Sequence, residues 1–258
     1  MFEHQGPAPL NDMIEKKDSV WDYVRALFWA LLLAGIFRSF VYEPFSIPSG
    51  SMQPTLLIGD HLFVSKWTYG YSKHSLPMSP NLYSGRVPNG VPDRGDVIVF
   101  KFIEEKWRGG EITVTRTDYI KRLVGLPGDT VQMKGGRLYI NGAMVDRKPD
   151  GEFSAGGQTY KQYIETLPNG VEHKILEIND NQSLDNTEVF KVPAEHYFFM
   201  GDNRDNSNDS RYSVKYVPAE NLVGRADILF LSIDWKGDDW MDFDFGLRWD
   251  RMFTSIGP

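Results

Sequence analysis

Residues 118–129 read Asp118-Tyr119-Ile120-Lys121-Arg122-Leu123-Val124-Gly125-Leu126-Pro127-Gly128-Asp129. The first seven form a short β-type run, and the Gly/Pro/Asp cluster behind it marks a turn. Period-two alternation puts Tyr119, Lys121 and Leu123 on one face and Ile120, Arg122 and Val124 on the other. Both faces are apolar around one cation, as in a strand buried on both sides. A lysine between Tyr119 and Leu123 would be desolvated, which disfavours the ammonium and lowers its pKa. The competing reading is a lysine with a buried stem and a solvated tip.

The same grammar recurs along the chain. His61 to Trp67, Asp96 to Phe102, Thr130 to Met133, Arg137 to Ile140, His196 to Met200 and Leu222 to Ile233 read as strands. Arg94-Gly95-Asp96 and Asn141-Gly142 punctuate them, and Gly135-Gly136 reads as a tight hairpin turn. No run after residue 45 keeps helical periodicity for long, so the expected fold is mostly β. Tyr69 to Asp93 and Asp146 to Glu188 look like insertions. The first is rich in Ser, Pro, Asn and Gly; the second is polar and acidic, either a small β subdomain or an exposed excursion. In the tail, Trp235, Trp240, Phe243, Phe245 and Trp249 alternate with aspartates, suiting core packing or a membrane-contacting lip.

The 258 residues carry a net charge of −7, which argues against nucleic acid as the main partner. There is no cysteine, so disulfides, thiolate metal sites and a cysteine nucleophile are excluded. Ala26 to Phe37 is uncharged and apolar; extended from Trp21 to Val41 it would span about 31 Å as a helix, enough to cross a bilayer. A buried core helix or a cleaved signal peptide would share this pattern. However, the bulky Arg38-Ser39-Phe40-Val41-Tyr42 that follows lacks a small-residue cleavage site, which favours an uncleaved anchor. Lys16 and Lys17 before the run, against Arg38 behind it, place the N-terminus in the cytoplasm, although Glu15, Asp18 and Asp22 crowd the same region.

Chemistry points to serine. Neither G-x-S-x-G nor H-E-x-x-H occurs, and the five histidines lack ligand spacing. A serine with a lysine base remains. Ser49-Gly50-Ser51, bracketed by Pro48 and Pro54, presents two hydroxyls on a stiff turn close behind the apolar run. One serine could attack while the other donates to an oxyanion; an inert surface turn is the bland reading. The run Gly201 to Tyr212 is dense in Asp, Asn and Ser and departs from the EF-hand calcium pattern. A calcium loop of another kind or a solvated linker stays open.

Four segments in order resemble bacterial type I signal peptidase (leader peptidase). They are Ser49-Gly50-Ser51-Met52-Gln53-Pro54-Thr55-Leu56, Arg94 to Phe100, Tyr119 to Asp129, and Gly201 to Ser207 with Ser210-Arg211. The resemblance implies a signal-peptidase-like β core with a smaller inserted β subdomain, behind a single membrane helix. It implies Ser51 as nucleophile, Lys121 as general base, Ser49 as oxyanion donor and Ser207 as the hydroxyl orienting the lysine. Asp209 and Arg211 would form a structural ion pair. Phe45, Ile47, Met52, Leu56, Tyr119 and Ile120 would line apolar substrate pockets. Expected bounds are 1–20 for a cytoplasmic segment, 21–42 for the anchor and 43–258 for the extracytoplasmic domain, with core 43–145 and 189–258 and insertion 146–188. The implied partners are preprotein signal peptides, the lipid bilayer and, transiently, the export machinery of the bacterial inner membrane, with no metal, cofactor or nucleic acid. Some members of the family carry two spans before the serine segment; here one is expected. A self-cleaving repressor-type Ser–Lys protease and a non-catalytic anchored β-rich module are the alternatives.

Overall fold

The computed structural model describes residues 19–75, 85–87, 90–109, 111–235 and 245–257. Trp240 and Phe243 of the aromatic tail, residues 1–18 and part of the Tyr69–Asp93 stretch lie outside these. One α-helix, α1, covers Val20–Phe40, and none of its residues is buried. It opens on a capping box. Ser19 Oγ accepts the Trp21 N–H, and the Asp22 carboxylate accepts the Ser19 N–H at 3.1 Å. Among the described residues it is the one helix long and apolar enough to cross a membrane.

The rest is β. The strands are β1 (Tyr42–Ser46), β2 (Asp60–Ser65), β3 (Val97–Arg108) and β4 (Glu111–Gly125), then β5 (Thr130–Lys134), β6 (Arg137–Ile140) and β7 (Ala143–Met144). Next come β8 (Asp146–Ala155), β9 (Gln158–Thr166) and β10 (Glu172–Glu177). The last are β11 (Phe190–Lys191), β12 (His196–Met200), β13 (Val217–Pro218), β14 (Leu222–Trp235), β15 (Phe245–Leu247) and β16 (Thr254–Ser255). The main sheet runs β1-β2-β14-β3-β4-β12-β13, with β15 and β16 attached to β14. A second sheet is β11-β5-β6-β7, and residues 146–177 form a third, β10-β9-β8.

Alternation builds the core. On β3, Val97 and Val99 pack with Met52, Leu56 and Leu62 on one face. Ile98 and Phe100 pack with Leu123 and Phe199 on the other. The centre of the sheet is therefore buried on both sides. The Gly135-Gly136 hairpin is present between β5 and β6, both glycines having positive φ (53° and 70°) as a primed two-residue turn needs.

The structure adds two features. Pro44 lies inside β1, paired with Phe63 at the edge of the main sheet, where a missing N–H costs no ladder bond. The β3–β4 hairpin continues well past Phe102, pairing Glu104 with Thr115 and Trp107 with Ile112. Its outer residues are largely exposed, so no buried-face pattern announces it. Trp249 is exposed rather than packed in the core, while Trp235 and Phe245 are backbone partners across β14 and β15.

Phe100 is fully buried and stacks on Phe199 with ring centroids 4.7 Å apart. Phe100→Ala is expected to cost about 3–5 kcal/mol of stability, read by denaturant unfolding of the detergent-solubilised chain.

Candidate active site

Three segments far apart in sequence meet at one end of a groove. The first is the turn after β1. Ile47 is tied in by its N–H to Asp60 O at 2.8 Å and by Gly59 N–H to its own carbonyl at 3.0 Å. A short 3₁₀ turn, Gly50–Met52, follows Ser49. Met52 and Leu56 drop into the core at 1% and 0% exposure, so this turn is anchored from below. Ser51 is left at the core boundary, its hydroxyl 3.4 Å from that of the exposed Ser49.

The second segment is β4. Lys121 is 4% exposed. Its Nζ donates to Ser51 Oγ and to Ile120 O, each at 2.8 Å, and lies 5.4 Å from the Tyr119 ring centroid. Burial brings its pKa down from 10.5 to about 8, against the opposing pull of the Asp209 and Asp202 charges. On the opposite face, Arg122 forks onto Asp202 at 2.8 and 2.7 Å and donates to Gly95 O at 2.7 Å.

The third segment is the loop from Gly201 to Arg211. Asp209 and Arg211 form a buried bidentate pair at 3.0 and 2.9 Å, and Asp209 also accepts the Gly201 N–H. Burial alone would raise the Asp209 carboxyl, but Arg211 and the backbone N–H groups hold it below the usual range. Arg122 does the same for Asp202. Gly201 touches both the Ser207 side chain and the Ser51 carbonyl, a contact that any Cβ would break. The Ser207 hydroxyl is buried without a hydrogen-bond partner. It therefore lies beside the Gly50–Met52 turn but is not joined to Lys121, whose protein acceptors are Ser51 and Ile120.

The groove holds about 460 Å³ between residues 45–51 and residues 117–121, with Val99, Asn206 and Asn208 completing it. Ser49, Ser51, Lys121, Phe45, Ile47, Tyr119 and Ile120 all line it. Met52 and Leu56 do not; they support its wall from inside the core, Met52 at the end of the 3₁₀ turn and Leu56 tied to it by its N–H to Met52 O at 2.9 Å. Both walls are strands at or near a sheet edge among the described residues. The β1 strand is the outermost of its sheet, and β12 meets β4 only at Arg122, Leu123 and Gly125.

The signal peptidase family model, peptidase S26, matches residues 20–231. Signal peptidase I of Rickettsia bellii (strain OSU 85-389) is 38% identical over 255 residues, covering 90% of this chain and 84% of the relative. That of Rickettsia typhi is 39% identical over 228 residues, covering 85% and 82%. The chain belongs to the signal peptidase I family. It is accordingly a peptidase that removes signal peptides. A solved signal peptidase I from Enterococcus faecalis aligns with 52% of this chain and 96% of its own at 24% identity and a TM-score of 0.29, too low to build on.

Within this signal peptidase, several residues around the site escaped sequence reasoning. Asp202, the partner of Arg122, stands 80 positions away from it. The β8–β10 sheet supplies Glu165, which holds Arg204 through both carboxylate oxygens, and His173, with Nε2 3.2 Å from Glu165 and Nδ1 3.5 Å from Asp202. Burial opposes the Glu165 charge, yet Arg204 and His173 bring its pKa to about 2. The available signal was charge in a polar segment, which reads equally well as a solvated surface.

Because the Lys121 pKa is lower in the folded chain than in the unfolded one, its contribution to stability is unfavourable below pH 8. It fades as pH rises toward 10.5. The shift is worth roughly 3 kcal/mol, less about 1 kcal/mol for the hydrogen bond to Ser51. Lys121→Met is therefore expected to be more stable than the parent by about 2 kcal/mol at pH 7, with the gain gone above pH 10.5, as measured by thermal unfolding across pH.

Proposed function

We propose that this peptidase cleaves by a Ser51–Lys121 dyad through an acyl-enzyme, with the chain held at the bacterial inner membrane by α1. The observation that carries the reading is the 2.8 Å contact between the nearly dry Lys121 amine and the Ser51 hydroxyl. A buried amine with a pKa near 8 has a usable neutral fraction at neutral pH, which an exposed lysine lacks.

An extended segment of a preprotein docks in the groove between β1 and β4, where main-chain hydrogen bonds supply affinity. Phe45, Ile47, Tyr119 and Ile120 confine its side chains to small apolar ones. Neutral Lys121 takes the Ser51 proton as the oxygen attacks the scissile carbonyl. The Ser51 N–H and the Ser49 hydroxyl, freed by rotation from its contact with Ser51, stabilise the oxyanion. The ammonium then protonates the leaving amine, giving an ester on Ser51. Water deprotonated by the same lysine hydrolyses that ester and releases the mature chain. Ser207, whose buried hydroxyl has no partner in the resting site, orients the Lys121 amine when it turns toward it, and the Asp209–Arg211 pair keeps this loop in place. Residues 1–20 lie in the cytoplasm, 21–42 cross the bilayer and 43–258 face the periplasm, near the export machinery that delivers substrates. Residues 146–188 form the inserted subdomain of that domain.

The test is cleavage of a preprotein by the detergent-solubilised enzyme, with the new N-terminus mapped. Ser51→Ala is expected to yield no product. In the parent, kcat/KM should fall about tenfold per pH unit below pH 8, as Lys121 protonates. Product from Ser51→Ala, or a rate flat from pH 6 to 9, would refute the dyad.

A further inference from the structure

Asn203 sits directly behind the nucleophile turn, fully buried, and lines no part of the groove. Its main-chain N–H donates to Ser51 O at 3.1 Å. Its side-chain Nδ2 donates to Gly50 O at 3.2 Å. The Gly50 carbonyl also accepts the Gln53 N–H at 3.2 Å. Two successive carbonyls of the turn are thus tied to one residue. The amide orientation follows from chemistry, since its reverse would set Oδ1 against a carbonyl oxygen.

In a planar trans peptide the N–H points opposite to the C=O. Holding Gly50 O against Asn203 therefore turns the Ser51 N–H away from Asn203, to the side where Gly50 and Ser51 line the groove. Without Asn203, this plane at a glycine would be held only by the 3.2 Å bond from the Gln53 N–H. A Gly50 carbonyl swung into the groove would offer a lone pair where the oxyanion needs a donor. Asn203 is itself fixed from behind by the insertion. Leu176 of β10 donates its N–H to Asp202 O and accepts the Arg204 N–H, each at 2.9 Å.

Building on the proposed nucleophile, we propose that Asn203 is the positioning residue for the oxyanion donor: its side-chain amide sets the tilt of the Gly50–Ser51 peptide plane. Asn203 touches no substrate and acts through the Ser51 N–H.

Two variants test this in the full chain in detergent. Asn203→Asp keeps the shape and removes the donor; Asn203→Ala removes the amide and keeps the main-chain N–H. Each is expected to lower kcat about 10- to 100-fold with KM nearly unchanged. The pH of the acid limb should stay where it is in the parent, because Lys121 is untouched. A peptide boronate, whose tetrahedral adduct fills the oxyanion position, should bind more weakly by a similar factor. A peptide with a reduced, uncleavable scissile bond should bind as before. Parental kcat in folded Asn203→Ala would overturn the proposal. So would equal weakening of both peptides, or failure of both variants to fold, since each marks a merely structural role. Ser51→Ala runs alongside. Its full activity would remove the nucleophile on which the proposal rests, whereas an inactive Ser51→Ala beside parental Asn203 variants would sink the Asn203 assignment alone.

Discussion

Everything near this site depends on keeping one lysine amine dry without leaving it unpaired. Lys121 owes its lowered pKa to burial, and two aspartates within reach of its field work against that. Each is already committed to an arginine, Asp209 to Arg211 and Asp202 to Arg122. Paired carboxylates exert a weaker net field than bare ones, so desolvation prevails. The two buried ion pairs thus protect the chemistry by silencing charge as well as by fastening the loop that carries it. Such pairs are poor sources of net stability but costly to break, because one partner is then left as a buried lone charge.

The second constraint is convergence. The turn at Ser51, the strand at Lys121 and the loop at Asn203 lie 70 and more residues apart. No local propensity can align them to hydrogen-bond precision. The sheet aligns the first two through the two-sided burial of β3 and β4. The third is placed by the β8–β10 sheet, whose β10 bridges the loop backbone while Glu165 grips Arg204. A segment with no recognisable motif therefore acts as a brace for the site.

Where periodicity meets burial, the sequence was legible. The strand around Lys121, the double-glycine hairpin and the serine turn could be read because alternation, positive φ and proline each carry a local physical cause. The edge strand through Pro44 was hidden because proline elsewhere argues against a strand. The outer half of the β3–β4 hairpin was hidden because it is exposed, Trp107 and Ile112 included, so no face of it is set against the core. Met52 and Leu56 have the right chemistry for a substrate pocket, and only the local path of the chain from Gly50 to Leu56 decides that they face the core. Long-range partners such as Asp202 for Arg122 are invisible for a simpler reason: charge type says nothing about which opposite charge it will meet.

The central claim is that the fold holds Lys121 in a state where it can accept a proton near neutral pH. Carbon-13 labelling at lysine Cε, with the Lys121 signal assigned by its absence in Lys121→Met, follows that titration directly by NMR. A midpoint near pH 8 is expected. A midpoint near 10.5, the ordinary value for an exposed lysine, would contradict the account.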